Sequence, residues 1–118
     1  MKKSKYKKVF SMGLHSGVRN YTVRDLISFK GKKKLTQINV SNPEEAKACE
    51  EAGIDLIIAG PPSPLKEIRE AAPKTFFTVG INWLEHSSKE SAIKQALQYM
   101  ELGIDSIHCG CWNINFIK

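Results

Sequence analysis

The ten residues Glu51-Ala-Gly-Ile-Asp-Leu-Ile-Ile-Ala-Gly60 return fifty positions later as Glu101-Leu-Gly-Ile-Asp-Ser-Ile-His-Cys-Gly110, with Glu, Gly, Ile, Asp, Ile and Gly in register. Each copy reads as the end of a helix, a glycine that can enter the left-handed region to close it, and a short β-branched strand that stops at a second glycine. A further strand pattern, Thr75-Phe-Phe-Thr-Val-Gly-Ile-Asn82, lies between the copies. The fifty-residue interval therefore holds two helix-strand units of ordinary β/α size, and the chain is a run of such units.

Capping chemistry places the helices. Thr22-Val-Arg-Asp25 has the form of a capping box and predicts a short helix through Leu26, Ile27 and Phe29 that ends at Gly31. Leu35-Thr-Gln-Ile-Asn-Val40 alternates as a first strand. Asn42-Pro-Glu-Glu45 combines a cap, a first-turn proline and acids suited to the positive end of a helix dipole. The helix it opens runs to Ala52 with Ala46, Ala48, Cys49 and Ala52 as small inward candidates, and Cys49 is read as packing. The second strand spans Asp55 to Ala59. Ser63 is expected to cap, and Pro64 to open, a helix that buries Leu65, Ile68 and Ala72 and stops at Pro73. A loop from Trp83 to Ser88 leads into a third helix of this series, with Ile93, Leu97 and Met100 on one face, and a fourth strand reaches Gly110. Residues 112–118 read as a loop and the start of another helix. Residues 1–20 show no clear period, and Gly13 and Gly17 break any helix there.

The net charge of +6 is unevenly spread. Residues 1–34 hold eleven Lys/Arg against one acid, whereas the remainder holds seven against eleven. A basic arm interleaved with Tyr6, Phe10, Tyr21 and Phe29 suits a phosphate backbone in principle, but a solvated leader explains the composition more simply, so nucleic acid is disfavoured as a partner. No apolar run approaches the ~20 residues of a bilayer span, and the Lys-rich start lacks the apolar core of a secretory signal. Three cysteines without framework spacing suit a reducing compartment, so a cytoplasmic protein away from membranes is expected.

Alternating strands and helices with short connections imply a parallel sheet, either a small open one or part of an eight-stranded barrel. The expected organisation is a basic arm over residues 1–20 followed by a half (β/α) barrel over 21–118. A half barrel alone leaves two strand edges and its inner face uncovered, which predicts self-association or a partner over that edge.

From Tyr21 onward the order of features resembles the N-terminal half of ketopantoate hydroxymethyltransferase (3-methyl-2-oxobutanoate hydroxymethyltransferase), in the phosphoenolpyruvate mutase and isocitrate lyase superfamily. The residues that bear the resemblance are Thr22-Val-Arg-Asp-Leu26 with the basic turn after it, Glu50-Glu-Ala-Gly-Ile-Asp-Leu-Ile-Ile-Ala-Gly60, and Leu102-Gly-Ile-Asp105. The resemblance implies a (β/α)8 TIM-type barrel of the pantothenate pathway. In that family Mg²⁺ holds an α-keto acid, α-ketoisovalerate, and methylenetetrahydrofolate supplies the one-carbon group. It also implies where the metal site stands: the Asp and Ser that follow the second strand's glycine in the family correspond to Pro61 and Pro62. An Asp after the third strand corresponds to Ile81 or Asn82, and a Lys and a Glu on the fourth to His108 and Gly110. Mg²⁺ prefers hard oxygen ligands, so the expectation is a truncated or catalytically altered relative without a metal site. The alternative is a non-catalytic interaction or assembly module built on a half barrel.

Strand ends remain the place for a barrel site. The catalytic candidates are Asn82 and His108, and the substrate-binding candidates are Asn39, His86 and Cys111. His108-Cys-Gly-Cys111 with His86 offers soft donors, but His108 and Cys109 point to opposite faces of a strand, so no metal is assigned there.

Overall fold

The structure is a computed structural model, and it describes residues 6–11, 15–81 and 88–109. The ten elements run in the order β1 (Lys7–Ser11), β2 (His15–Arg19), α1 (Val23–Ser28), β3 (Gln37–Asn39), α2 (Pro43–Glu51), β4 (Leu56–Ala59), α3 (Leu65–Ala71), β5 (Phe76–Gly80), α4 (Lys89–Glu101) and β6 (Ser106–His108). β1 and β2 pair antiparallel as a hairpin, and the other four strands form one parallel sheet in the order β3-β4-β5-β6. The expected strands are thus present, trimmed by one to three residues at their ends.

The repeat behaves as its sequence implies. Gly53 and Gly103 take φ of 79° and 87° just after α2 and α4, a region that costs a Cβ-bearing residue strain. The caps agree as well. Thr22 Oγ1 accepts from the Asp25 amide while the Asp25 carboxylate accepts from the Thr22 amide, completing the capping box of α1. The Asn42 side chain accepts from the Glu45 amide at 2.8 Å at the start of α2. α3 departs from the expectation. Pro64 occupies its cap position without a side-chain cap bond, and the Ser63 amide instead donates to the Gly60 carbonyl.

One face of the sheet carries the core. Ile57 and Ala59 of β4 with Phe77 and Val79 of β5 are buried against Ala46 and Cys49 of α2, Ile68 and Ala72 at α3, and Tyr99 of α4. Register puts Ile38 and Ile107 on the same face. All three helices that alternate with the parallel strands thus cover one side. Burial pushes the Cys49 thiol up, in keeping with a packing role.

Helix faces are where the sequence reading needs correction. Ala48 and Ala52 are exposed, because Ala46 and Cys49 at i, i+3 already define the stripe of α2 that meets the sheet. In α4 the buried residues are Ala92 and Tyr99, which turns Ile93 and Leu97 outward. The hairpin is a further difference, for it occupies a segment in which no element was expected. The start of a helix expected over 112–118 lies outside the described residues.

Phe77→Ala removes a fully buried side chain and is expected to cost about 3–5 kcal/mol in urea unfolding. Leu97→Ser on the outer face of α4 is expected to change stability by less than about 1 kcal/mol.

Candidate functional site

Period two along the strands sorts the face opposite the helices into layers. The register aligns Gln37 with Leu56 and Phe76, Asn39 with Ile58, Thr78 and Ser106, and Gly80 with His108. The Thr78 and Ser106 hydroxyls meet at 2.6 Å in the middle layer. The layer at the carboxyl ends is nearly bare. A methyl group on Gly80 would meet open space, and one on Gly60 would only touch the Gly80 carbonyl at 3.7 Å. These glycines keep the mouth of the sheet shallow rather than relieve a clash.

Two of the five sequence candidates are described. Asn39 on β3 and His108 at the end of β6 are exposed and share this face, but β4 and β5 lie between them. Three interstrand steps of about 4.8 Å separate them, so within one chain they do not form a single site. Asn82, His86 and Cys111 lie outside the described residues. Exposed Cys109 follows His108 directly.

The amino ends of the strands are densely bonded. Arg19 Nε donates to both oxygens of Asp105, at 3.0 and 2.9 Å, and its terminal nitrogens donate to the carbonyls of Val18, Pro73 and Gly103. Arg69 Nη1 reaches Asp105 at 2.9 Å and also the Gly103 carbonyl, while its Nη2 donates to the Ala72 and Thr75 carbonyls. Both guanidiniums are buried, and the carbonyls past α3 and α4 that they bind are the negative ends of those helices. Burial first, and then the charge of Arg19, push the Arg69 pKa down to about 10, against the pull of Asp105, so Arg69 stays charged at neutral pH.

Asp55 repeats the part Asp105 plays. Its carboxylate accepts from the Thr36 amide and hydroxyl and from the Tyr21 hydroxyl, as that of Asp105 accepts from the Phe77 amide. Burial pushes the Asp55 carboxyl up, but the Thr36 amide, the Tyr21 and Thr36 hydroxyls and the Lys33 charge together outweigh it and hold the group below its ordinary 3.8. Tyr21 and Phe29 pack edge to face at 5.3 Å with Lys33 over both rings, and Tyr6 lies against Lys74. Three of the four aromatics of the basic segment are therefore engaged within the chain.

Cavities also gather at this end. One of about 220 Å³ is lined by Tyr6, Asn20, Tyr21, Glu50, Asp55 and Thr75. A groove of about 470 Å³ runs between Val18 and Arg19 on one side and Lys66, Arg69 and Leu102 on the other. The charged network was absent from the sequence reading. The recurrence of Asp55 at Asp105 was its available signal, whereas nothing in the local pattern marks Arg19 or Arg69.

Comparison with known proteins agrees with the resemblance. The chain is similar to 3-methyl-2-oxobutanoate hydroxymethyltransferases. It is 29% identical to that of Kosmotoga olearia over 72% of its own length and 40% of the relative's. It is 25% identical to that of Thermosipho melanesiensis over 82% of its length and 46% of the relative's. A shorter match to that of Staphylothermus marinus reaches 37% identity over 36% of the chain. The chain thus spans less than half the length of these relatives, consistent with an N-terminal portion. No protein-family profile matches the chain, and no solved structure matches it. No helix among the described residues is long and apolar enough to cross a membrane.

The Mg²⁺ implied by the resemblance does not fit the described mouth. Gly60, Pro61, Pro62, Gly80 and His108 supply no carboxylate, and Glu45, just past β3, is bound to the Ser41 amide and the Asn42 side chain. Among the described residues no three His, Cys, Asp or Glu side chains gather as a metal site.

Asp105→Asn leaves two buried guanidiniums without their counter-charge and is expected to cost about 3–5 kcal/mol by chemical denaturation, against about 1–3 kcal/mol for Asp55→Asn. The lowered Asp55 pKa stabilises the fold fully above the unfolded value of 3.8, and that contribution is lost as pH falls below it through the folded pKa. Melting temperature against pH should therefore fall less steeply below about pH 4 in Asp55→Asn than in the unsubstituted chain.

Proposed function

We propose that this chain is a catalytically altered relative of the 3-methyl-2-oxobutanoate hydroxymethyltransferases, built as part of a (β/α) barrel whose α-keto acid site lacks the metal. Two features support the barrel over an open sheet. The strands are all parallel in sequential order, and α2, α3 and α4 all cover the same face. An open doubly wound sheet carries helices on both faces, whereas a barrel keeps them outside. Similarity over 72–82% of the chain to enzymes of that name supports the descent.

One observation carries the loss of metal chemistry. β4 delivers the chain to Pro61 and Pro62, the positions that the resemblance gives to an Asp and a Ser, and neither proline has a side-chain donor. Beside the apolar Leu56, Ile58 and Phe76, the inner face carries the polar groups Asn39, Thr78, Ser106 and His108. These groups can hydrogen-bond a carboxylate or a keto oxygen, but the described residues provide no Lewis acid beside a developing enolate. The second reading, a non-catalytic assembly module, is favoured by the exposed apolar residues Ile38 on β3 and Ile93 and Leu97 on α4.

Calorimetric titration of the chain with Mg²⁺ and α-ketoisovalerate is expected to give no metal-dependent heat, and the double substitution Pro61→Asp, Pro62→Ser to introduce millimolar Mg²⁺ binding. Metal-dependent heat from the unsubstituted chain, or hydroxymethylated product with methylenetetrahydrofolate, would refute the reading.

A further inference from the structure

β3 and β6 are the outer strands of a sheet whose members all run the same way, so one edge is the directional complement of the other. Apolar side chains stand exposed on β3 and on α4, the helix that leads into β6. Ile38 of β3, on the helix-covered face, is 42% exposed, and Ile93 and Leu97, one turn apart on α4, are 49% and 46% exposed. A third stripe, Val23 and Ile27 on α1, is 54% and 67% exposed at the amino end of the sheet. Stripes at i, i+4 spacing on two helices are the pattern of surfaces made to be covered.

We propose that a second copy of this chain covers them, with β6 of each copy pairing parallel to β3 of the other about a two-fold axis to close an eight-stranded ring. The inference rests on the partial-barrel reading above. Several observations favour a second copy. A two-fold rotation along the strand direction sets the two free edges side by side in the same direction, at two identical seams, and four strands twice make the number at which a β/α ring closes. It sets Ile38 on β3 of one copy beside β6 of the other. The face that would become the interior, with Gln37, Asn39, Leu56, Ile58, Thr78, Ser106 and His108, has no Lys, Arg, Asp or Glu among these residues to repel its twin.

Closure also completes the site. Asn39 and His108, too far apart within one sheet, become neighbours across each seam, giving two identical sites made of His108 from one copy and the partner's Asn39.

Light scattering on the full chain at micromolar concentration is expected to give twice the chain mass, and Ile38→Lys to raise the dissociation constant at least tenfold while circular dichroism keeps the fold. Cysteine crosslinking tests the seam. Ile38 on β3 and Cys109, directly after β6, lie at opposite edges of the sheet, beyond the 4.4–6.8 Å Cα reach of a disulfide within one chain. In a Cys111→Ser background, mild oxidation of Ile38→Cys should give covalent dimers, whereas Lys47→Cys, exposed on α2, should not. A dimer that resists crosslinking at Ile38→Cys overturns the seam. A folded monomer that binds a hydrophobic dye such as ANS overturns the second copy while keeping the partial barrel, and a folded monomer that binds no dye overturns both.

Discussion

Asp105 holds the lower end of this molecule together. A single carboxylate receives Arg19 from the hairpin, Arg69 from α3 and the backbone amide of Phe77 on the neighbouring strand. Two buried cations on one anion would repel each other if that were the whole arrangement. The excess charge is spread over five carbonyls, those of Val18, Ala72, Pro73, Thr75 and Gly103, most of them freed where α3 and α4 end. A buried ion pair is weak evidence for net stability, since desolvation offsets the attraction. Its effect here is geometric. Three segments distant in sequence must converge on one point, so neither the hairpin nor α3 can shift without uncovering a charge.

The two ends of the sheet are consequently unlike. The amino end is closed by Arg19, Asn20 and Tyr21, and is rich in ion pairs and aromatic contacts. The carboxyl end shows glycines, a Pro-Pro turn and an exposed imidazole. That division matches the way β/α barrels separate stability at one end from chemistry at the other. Pro61, Pro62 and His108 take part in none of the bonds at the base, so that end of the fold does not depend on which residues stand at the mouth.

Much of this architecture is legible in the sequence because it is set by local rules. Gly53 and Gly103 had to close helices, Thr22 and Asn42 had to cap them, and β-branched runs had to be strands. Each of those depends on residues within four positions. What escapes depends on distance. Arg19 meets Asp105 across 86 positions, and no periodicity in residues 15–20 announces the contact. The outward turn of Ile93 and Leu97 escaped for a different reason. Apolar residues mark a helix stripe, but only the neighbours decide which stripe is buried, and here Ala92 and Tyr99 face the sheet. At the site, Asn39 and His108 were chosen as residues at strand ends, while their separation follows from strand order, which position along a strand does not contain.

The recurrence of Asp in the repeat acquires a structural meaning at the level of strand pairs. Asp55 accepts from the Thr36 amide and so ties β4 to the start of β3. Asp105 accepts from the Phe77 amide and so ties β6 to β5. Each repeat therefore locks one pair and does nothing for the junction between pairs. At that junction, where β4 and β5 already pair in the sheet, Asn20 adds side-chain bonds. Its amide nitrogen donates to the Asp55 carbonyl on the β4 side, its side-chain oxygen accepts from the Phe76 amide on the β5 side, and its own backbone amide donates to Lys74. The basic N-terminal segment is thus the stitch between two locked pairs rather than an appendage to them.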